Sequence, residues 1–103
     1  MTTRIRAAQG KARVFEFQIL ASGGVAQDLS TLSACSVVVD APDGTDKYTA
    51  DCVGKAGDPT TRLVVIQGAA TADRGIFSSC VHWTDAAGLP DAEPFTLEVY
   101  RHA

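Results

Sequence analysis

The stretch from Gly75 to Gly88 reads Gly-Ile-Phe-Ser-Ser-Cys-Val-His-Trp-Thr-Asp-Ala-Ala-Gly and alternates with a period of two residues. Its large apolar residues Phe77, Val81 and Trp83 fall on one side of an extended chain, which indicates a β-strand with one covered face. The strand then ends in an Asp-Ala-Ala-Gly turn, where the aspartate can accept backbone hydrogen bonds and the glycine can take a positive φ. A strand with one apolar face followed by a short turn is the repeating unit of an antiparallel sandwich.

Five further segments show the same alternation or a dense run of β-branched residues. They are 13–20, 35–39, 47–53, 62–67 and 95–99, and a possible seventh strand covers 3–8. Turn signals separate them, and the segments 54–60 and 88–94 are predicted to be loops because they carry Gly and Pro. Only 69–74 has room for a helical turn, which leaves no crossover helices for a parallel sheet. The sequence therefore predicts an all-β fold, an Ig-like antiparallel β-sandwich of about seven strands.

The inward faces of these strands define a predicted core. Leu29, in the crossing between the first two strands, is expected to be an inward plug. Trp83 is also assigned to the core by its register, although an exposed indole could instead stack on a carbohydrate. The predicted core residues are Phe15, Phe17, Ile19, Val37, Val39, Phe77, Val81, Trp83, Phe95, Leu97 and Val99.

Charge is distributed unevenly over the 103 residues, which are enough for one domain. The net charge of −3 disfavours nucleic-acid binding, which needs a basic surface. Residues 1–10 are nevertheless basic and are predicted to form an N-terminal arm or edge strand, with 11–103 as a single sandwich domain. Such an arm could dock onto a partner, or it could be a solvated end with no special role. The candidate docking residues are Arg4, Ile5, Arg6 and Lys11.

The three cysteines lack the Cys-x-x-Cys spacing of zinc and redox sites. All three lie in apolar or strand-like segments, so we expect small buried side chains in a reducing compartment. A disulfide, for example between Cys35 and Cys80, is the alternative. No apolar run is long enough for a signal peptide or a membrane span, and we expect no membrane association.

A search for chemistry predicts no catalytic residue, no metal ligand and no cofactor. Ser78, Ser79 and His82 lie close in sequence, but the Gly-x-Ser-x-Gly turn of a nucleophile elbow and an orienting acid are both missing. The acidic loop from Asp40 to Asp46 could offer oxygens to calcium, although its spacing fails the EF-hand pattern and fits a hairpin turn. We therefore expect a protein that is not an enzyme.

Several motifs in order resemble a known family. The chain carries an early Phe15-Glu-Phe-Gln-Ile strand, a short Asp28-Leu-Ser crossing and the run Cys35-Ser-Val-Val-Val-Asp-Ala-Pro-Asp-Gly. A run of small residues then leads to Gly75-Ile-Phe, and Val81-His-Trp-Thr-Asp-Ala-Ala-Gly follows. This pattern, over roughly residues 11 to 101, is similar to the immunoglobulin-like domain at the N-terminus of phage baseplate upper proteins and related tail and fibre modules. The chain departs from the family because no long shaft follows, and Pro94-Phe-Thr-Leu-Glu-Val replaces a Gly-rich final strand.

The resemblance implies a non-enzymatic structural protein of a tailed phage or phage-like particle, located in the virion and assembled in the host cytoplasm. It would attach to the capsid, as a decoration protein, or to the tail or baseplate, by surface complementarity and strand addition. Its partners would be other virion proteins, and the family also implies a homo-oligomer, possibly a trimer. The alternative is a carbohydrate- or host-surface-binding sandwich, for which Tyr48 and Tyr100 are the aromatic residues expected to remain exposed.

Overall fold

A computed structural model describes residues 3–20 and 23–101. Its elements are β1 (Thr3–Ala8), β2 (Arg13–Phe17), β3 (Ala34–Asp40), β4 (Asp46–Asp51), β5 (Val53–Lys55), β6 (Asp58–Ile66), a short 3-10 helix (Gly68–Thr71), β7 (Gly75–Thr84) and β8 (Pro90–Tyr100). The all-β prediction is confirmed, as are the strand predicted at 3–8 and the helical turn before Gly75. Within the described ranges, no helix is long and apolar enough to cross a membrane.

The strands form two sheets. One sheet has five strands in the order β1-β8-β7-β3-β4, and the other has three in the order β2-β6-β5. Because β1 lies at the edge of one sheet and β2 at the edge of the other, the chain changes sheets between Ala8 and Arg13. β1 runs parallel to β8, so the sandwich is not wholly antiparallel as the sequence predicted.

The core lies between the sheets, where alternate residues of each strand meet. Val37, Val39, Val64, Ile66 and Leu97 have no exposed surface. Burying such side chains contributes roughly 1.5–3 kcal/mol each, which makes this contact the main source of stability. Of the predicted core residues, Phe15, Ile19 and Trp83 are only partly buried, and the rest are buried.

Leu29 closes the sandwich on the side where the chain crosses from β2 to β3. Its side chain is 1% exposed, so it is the inward plug that the sequence predicted. Its backbone N–H donates to the Pro59 carbonyl at 2.7 Å, and its own carbonyl accepts from Arg62 Nη2 at 2.7 Å. The crossing is therefore fixed to the three-stranded sheet by two polar contacts as well as by burial.

Two predicted loops are wrong because they form strands. Residues 54–60 contribute to a tight hairpin in which Gly57, at φ 77°, turns β5 into β6. Residues 90–94 extend β8, although Pro90 and Pro94 lack an N–H for the ladder. These prolines are tolerated because, among the described residues, β1 pairs with β8 only from Phe95 onward, so no described strand pairs one edge of this half of β8.

Candidate binding cleft

A cleft opens between the two sheets along their β1 and β2 edges. Its volume is about 570 Å³, which is within the range of binding pockets. Its lining residues come from β1, from β2 and the segment after it, and from the facing parts of β7 and β8. A smaller concavity of about 310 Å³ lies between the loop after β3 and the start of β7.

Aromatic side chains from both sheets form the floor of the cleft. Phe15 of β2 packs edge-on against Phe95 of β8, with ring centroids 5.4 Å apart. Phe17 packs against Trp83 of β7 at 5.2 Å. Phe15 and Trp83 keep part of their surface exposed, because no further strand covers this side of the sandwich. The floor thus offers flat apolar surface that a ligand can bury.

Two carboxylates stand on the wall of the cleft. Asp91 pairs with Trp83, and Glu93 pairs with Val81, in the β7–β8 ladder. Since side chains alternate along a strand, both carboxylates lie on the same face of β8 as Phe95. Glu16 also lines the cleft but bonds to Lys55 of β5. Among the described lining residues there is no lysine, arginine or histidine, so the cleft carries a negative potential.

The backbone at the mouth of the cleft is also available for binding. β1 and β2 are terminal strands of their sheets, so each presents an edge that no described strand pairs. Thr3 and Ile5 of β1 and the segment from Phe15 to Leu20 line the cleft beside these edges. An unpaired strand edge offers a row of N–H and C=O groups to another extended chain.

The candidate docking residues are tied to this chain rather than projecting from it. Arg4 Nη1 and Arg6 Nε contact Glu98 at 3.0 and 3.4 Å, and the Arg6 guanidinium lies 4.7 Å from the Tyr100 ring centroid. Ile5 is partly buried against the core and lines the cleft, while Lys11 is exposed in the connection to β2. The region 3–8 is therefore an edge strand held by β8.

The serine and histidine cluster is divided between two faces of β7. Ser79 is buried and donates to the Phe77 carbonyl, whereas Ser78 and His82 are exposed on the outer face. Ser78 and His82 are four positions apart along the strand, which corresponds to about 13 Å. Neither serine can therefore transfer a proton to this histidine directly.

The acidic loop after β3 is a hairpin turn held by its own side chain. Asp43 Oδ1 accepts from the Thr45 N–H at 3.0 Å and from the Thr45 hydroxyl at 2.6 Å. These hydrogen bonds lower the pKa of Asp43, the side-chain bond more than the backbone bond. Within residues 3–20 and 23–101, no three or more His, Cys, Asp or Glu side chains are grouped as a metal site would need.

The aromatic residues expected to be exposed are not equivalent. Tyr48 packs against the core and donates its hydroxyl to the Val65 carbonyl at 3.0 Å, so the expectation of a free surface tyrosine is wrong there. Tyr100 is 40% exposed, but the Arg6 guanidinium lies over its ring. The aromatic surface that is open for binding lies instead in the cleft, at Phe15 and Trp83.

Sequence reasoning missed Asp91 and Glu93 because it assigned 88–94 to a loop. A signal was present, since 91, 93, 95, 97 and 99 continue one period of two into the final strand. Pro90 and Pro94 are typical of turns, so they favoured a loop over this strand pattern. Without the strand, nothing placed these carboxylates on the same face as Phe95.

The comparisons with known proteins bear on the fold. No protein-family model matches the sequence, and no curated protein matches it. The structure is similar to the crystal structure of CopC from Methylosinus trichosporium OB3b, with a TM-score of 0.59 and 10% sequence identity over 99% of this chain and 86% of that chain. At this identity the similarity shows a shared β-sandwich fold and carries no function with it.

This comparison overturns the identification made from the sequence motifs. The structure is similar to CopC, which is not an immunoglobulin-like domain of a phage virion protein. The role as a capsid, tail or baseplate component, and with it the virion location, depended on that identification and is wrong with it. The motifs misled because alternating strands that end in Asp-x-x-Gly turns meet the general needs of a β-sandwich.

Proposed function

We propose that this chain is a non-enzymatic binding domain that holds an extended segment of a partner polypeptide in the cleft between its sheets. The observation that carries the proposal is that two strand edges, which no described strand pairs, flank an aromatic floor beside Asp91 and Glu93. An extended chain can pair its backbone with such an edge and place alternate side chains on the floor.

The chemistry of the cleft defines the segment. Phe15 and Trp83 favour apolar side chains on the face that enters the cleft, since burying them removes apolar surface from water. Asp91 and Glu93 favour lysine or arginine beside those positions, because opposite charges attract along the wall of the cleft. The same negative potential disfavours nucleic acid as the partner.

Inward-facing carboxylates near a strand edge have a second explanation. Proteins place charges there to prevent edge-to-edge aggregation, in which case no partner exists. The two explanations differ in what they predict for a basic, extended ligand. A binding cleft captures such a ligand saturably at one place on the surface, whereas edge-protecting carboxylates give it only weak attraction without saturation.

The test uses Trp83, the only tryptophan of the chain, as an intrinsic fluorescence reporter in the cleft. Two eight-residue peptides serve as probes: one alternates valine or isoleucine with lysine, and the other replaces every lysine by glutamate. We expect the basic peptide to shift the Trp83 emission saturably, and amide NMR shifts to follow β2 and residues 90–95. The acidic peptide is expected not to bind.

The variant Glu93→Lys is expected to weaken binding of the basic peptide by about fivefold or more. The matched control is Asp46→Lys, an exposed position at the start of β4 outside the cleft lining. Absence of binding by both peptides, or NMR shifts confined to other surfaces, would refute the proposed function.

Self-association remains a separate prediction. A homo-oligomer, possibly a trimer, was expected from the family resemblance. Light scattering over a concentration series measures the mass directly, and a monomer at every concentration would contradict the prediction.

A further inference from the structure

Cys35 and Cys52 face each other across the β3–β4 hairpin. Ser36 pairs with Asp51 in the antiparallel ladder, which makes these cysteines the next opposed pair. The Cys52 N–H donates to the Cys35 carbonyl at 2.9 Å, so the pair continues the hydrogen-bonded register. Opposed residues at a hydrogen-bonded position have Cα atoms about 5.5 Å apart, which lies within the range that a disulfide spans.

The two side chains also point to the same place. Cys35 is 7% exposed and Cys52 is 6% exposed, and both belong to the core cluster. The proximity of the two thiols lowers the pKa of Cys35 and raises the pKa of Cys52. The positive charge of Arg62 lowers the pKa of both thiols, although more weakly than the neighbouring thiol shifts either one. Cys35 is therefore the better nucleophile of the pair.

Cys80 is excluded from this pair by its register. It lies opposite Val38 of β3, three positions along the strand from Cys35, and that odd spacing puts it on the other face of the sheet. The bridge between Cys35 and Cys80 that the sequence left open is thus ruled out by the sheet geometry, and all three thiols are free in this structure.

We propose that Cys35 and Cys52 form a reversible redox site, which a small-molecule disulfide such as oxidised glutathione converts into a bond across the β3–β4 hairpin. The Cys35 thiolate attacks one sulfur of the oxidised glutathione, whose S–S bond breaks, and the released glutathione thiolate takes up the proton that Cys35 lost. The Cys52 thiolate then attacks the Cys35 sulfur of the mixed disulfide and releases the second glutathione. Two protein thiols are oxidised and one glutathione disulfide is reduced to two thiols.

The position of the pair gives the oxidant a route to it. β4 is the last strand of its sheet, and Cys52 follows its final residue, where the chain leaves for β5. Strand ends at a sheet edge open locally at a lower free energy than the core does. The new bond fastens this edge strand to β3 and closes the loop between residues 35 and 52, so oxidation stabilises the domain.

The test treats the folded protein with oxidised glutathione and follows intact mass, thiol alkylation and peptide mapping. We expect a loss of two hydrogens, a cross-link that joins Cys35 to Cys52, and an increase in Tm of roughly 5 to 10 °C that a reductant reverses. Cys80→Ser, the matched control, should form the same cross-link. Cys52→Ser should instead retain one glutathione on Cys35, which identifies the attacking thiol.

The outcomes that overturn the proposal are equally specific. In the first, the folded wild-type protein is treated with oxidised glutathione and then denatured, and both Cys35 and Cys52 still react with the alkylating reagent. The others are a cross-link that contains Cys80, and a cross-link that forms only when the protein is oxidised in denaturant.

Discussion

At the scale of the residue, the same pattern of aspartate hydrogen bonds fixes three of the turns. Asp28, Asp43 and Asp58 each accept two hydrogen bonds at Oδ1 from the residue two positions later, one from its N–H and one from its hydroxyl. The hydroxyl residues are Ser30, Thr45 and Thr60. These bonds hold a turn locally and need no contact from elsewhere in the fold.

Asp58 shows how this pattern depends on pH. Hydrogen bonds from Thr60 and then Thr61 lower its pKa below the ordinary 3.8, so folding favours the ionised form. The resulting stability is present above about pH 4 and is lost as the pH falls through the lowered folded pKa. We expect Asp58→Asn to lower the Tm at neutral pH, and the difference from wild type to close in acid.

Thermal unfolding from pH 7 down to about pH 2 measures this difference. Asp46→Asn, an exposed aspartate at the start of β4, is the control and should follow the wild-type profile. A difference between Asp58→Asn and wild type that stays constant with pH would show that the carboxylate charge is not responsible.

At the scale of the element, the role of β1 could not be read from its amino-acid composition. The sequence left open whether residues 1–10 form a docking arm or an edge strand. In the structure, Glu98 lies opposite Arg6 in the parallel register and contacts both Arg4 and Arg6. Such exposed ion pairs contribute only about 0–1 kcal/mol. The stronger attachment is Ala7, which is 3% exposed and belongs to the core cluster.

We therefore expect Ala7→Asp to release β1 from β8. A carboxylate at this position would lose its water without gaining a partner, which costs several times the energy of the ion pairs. Limited trypsin digestion measures the result, because pairing with β8 protects the bonds after Arg4 and Arg6. We predict cleavage there to become roughly tenfold faster or more, before cleavage at other sites.

Ala12→Asp is the matched control, because Ala12 is exposed in the connection between β1 and β2. Its digestion should resemble that of wild type. Equal cleavage rates in both variants would mean that β1 is not held through Ala7.

At the scale of the whole molecule, the two sides of the sandwich differ. Where the chain crosses from β2 to β3, Leu29 fills the space between the sheets and closes the sandwich. Between the edges formed by β1 and β2, the sandwich is left open as the cleft. This asymmetry puts rigid packing on one side and exposed aromatic surface on the other, which is the arrangement that a binding site requires.

Leu29→Ala tests the closed side. We expect a loss of about 2 to 4 kcal/mol in the free energy of unfolding, because a fully buried leucine leaves a cavity. Urea denaturation measures it, with Leu89→Ala as the control, since Leu89 is 65% exposed and its truncation should change stability by less than about 0.5 kcal/mol. Similar losses in the two variants would show that Leu29 does not close the sandwich.

The sequence by itself determined most of the strands and much of the core. Alternation at Phe77, Val81 and Trp83 depends only on neighbours along the chain, and so does a turn such as Pro42-Asp43-Gly44. Local patterns of this kind are similar in any sandwich, which is why they predicted the fold class and misidentified the family.

Only the tertiary structure decided the sites. Asp91 and Glu93 join Phe15 in the cleft because β8 extends back to Pro90 and β2 lies in the other sheet. Cys35 and Cys52 meet because the register of β3 and β4 puts them directly opposite each other. Register and sheet order follow from contacts between distant segments, and no spacing in the chain encodes them directly.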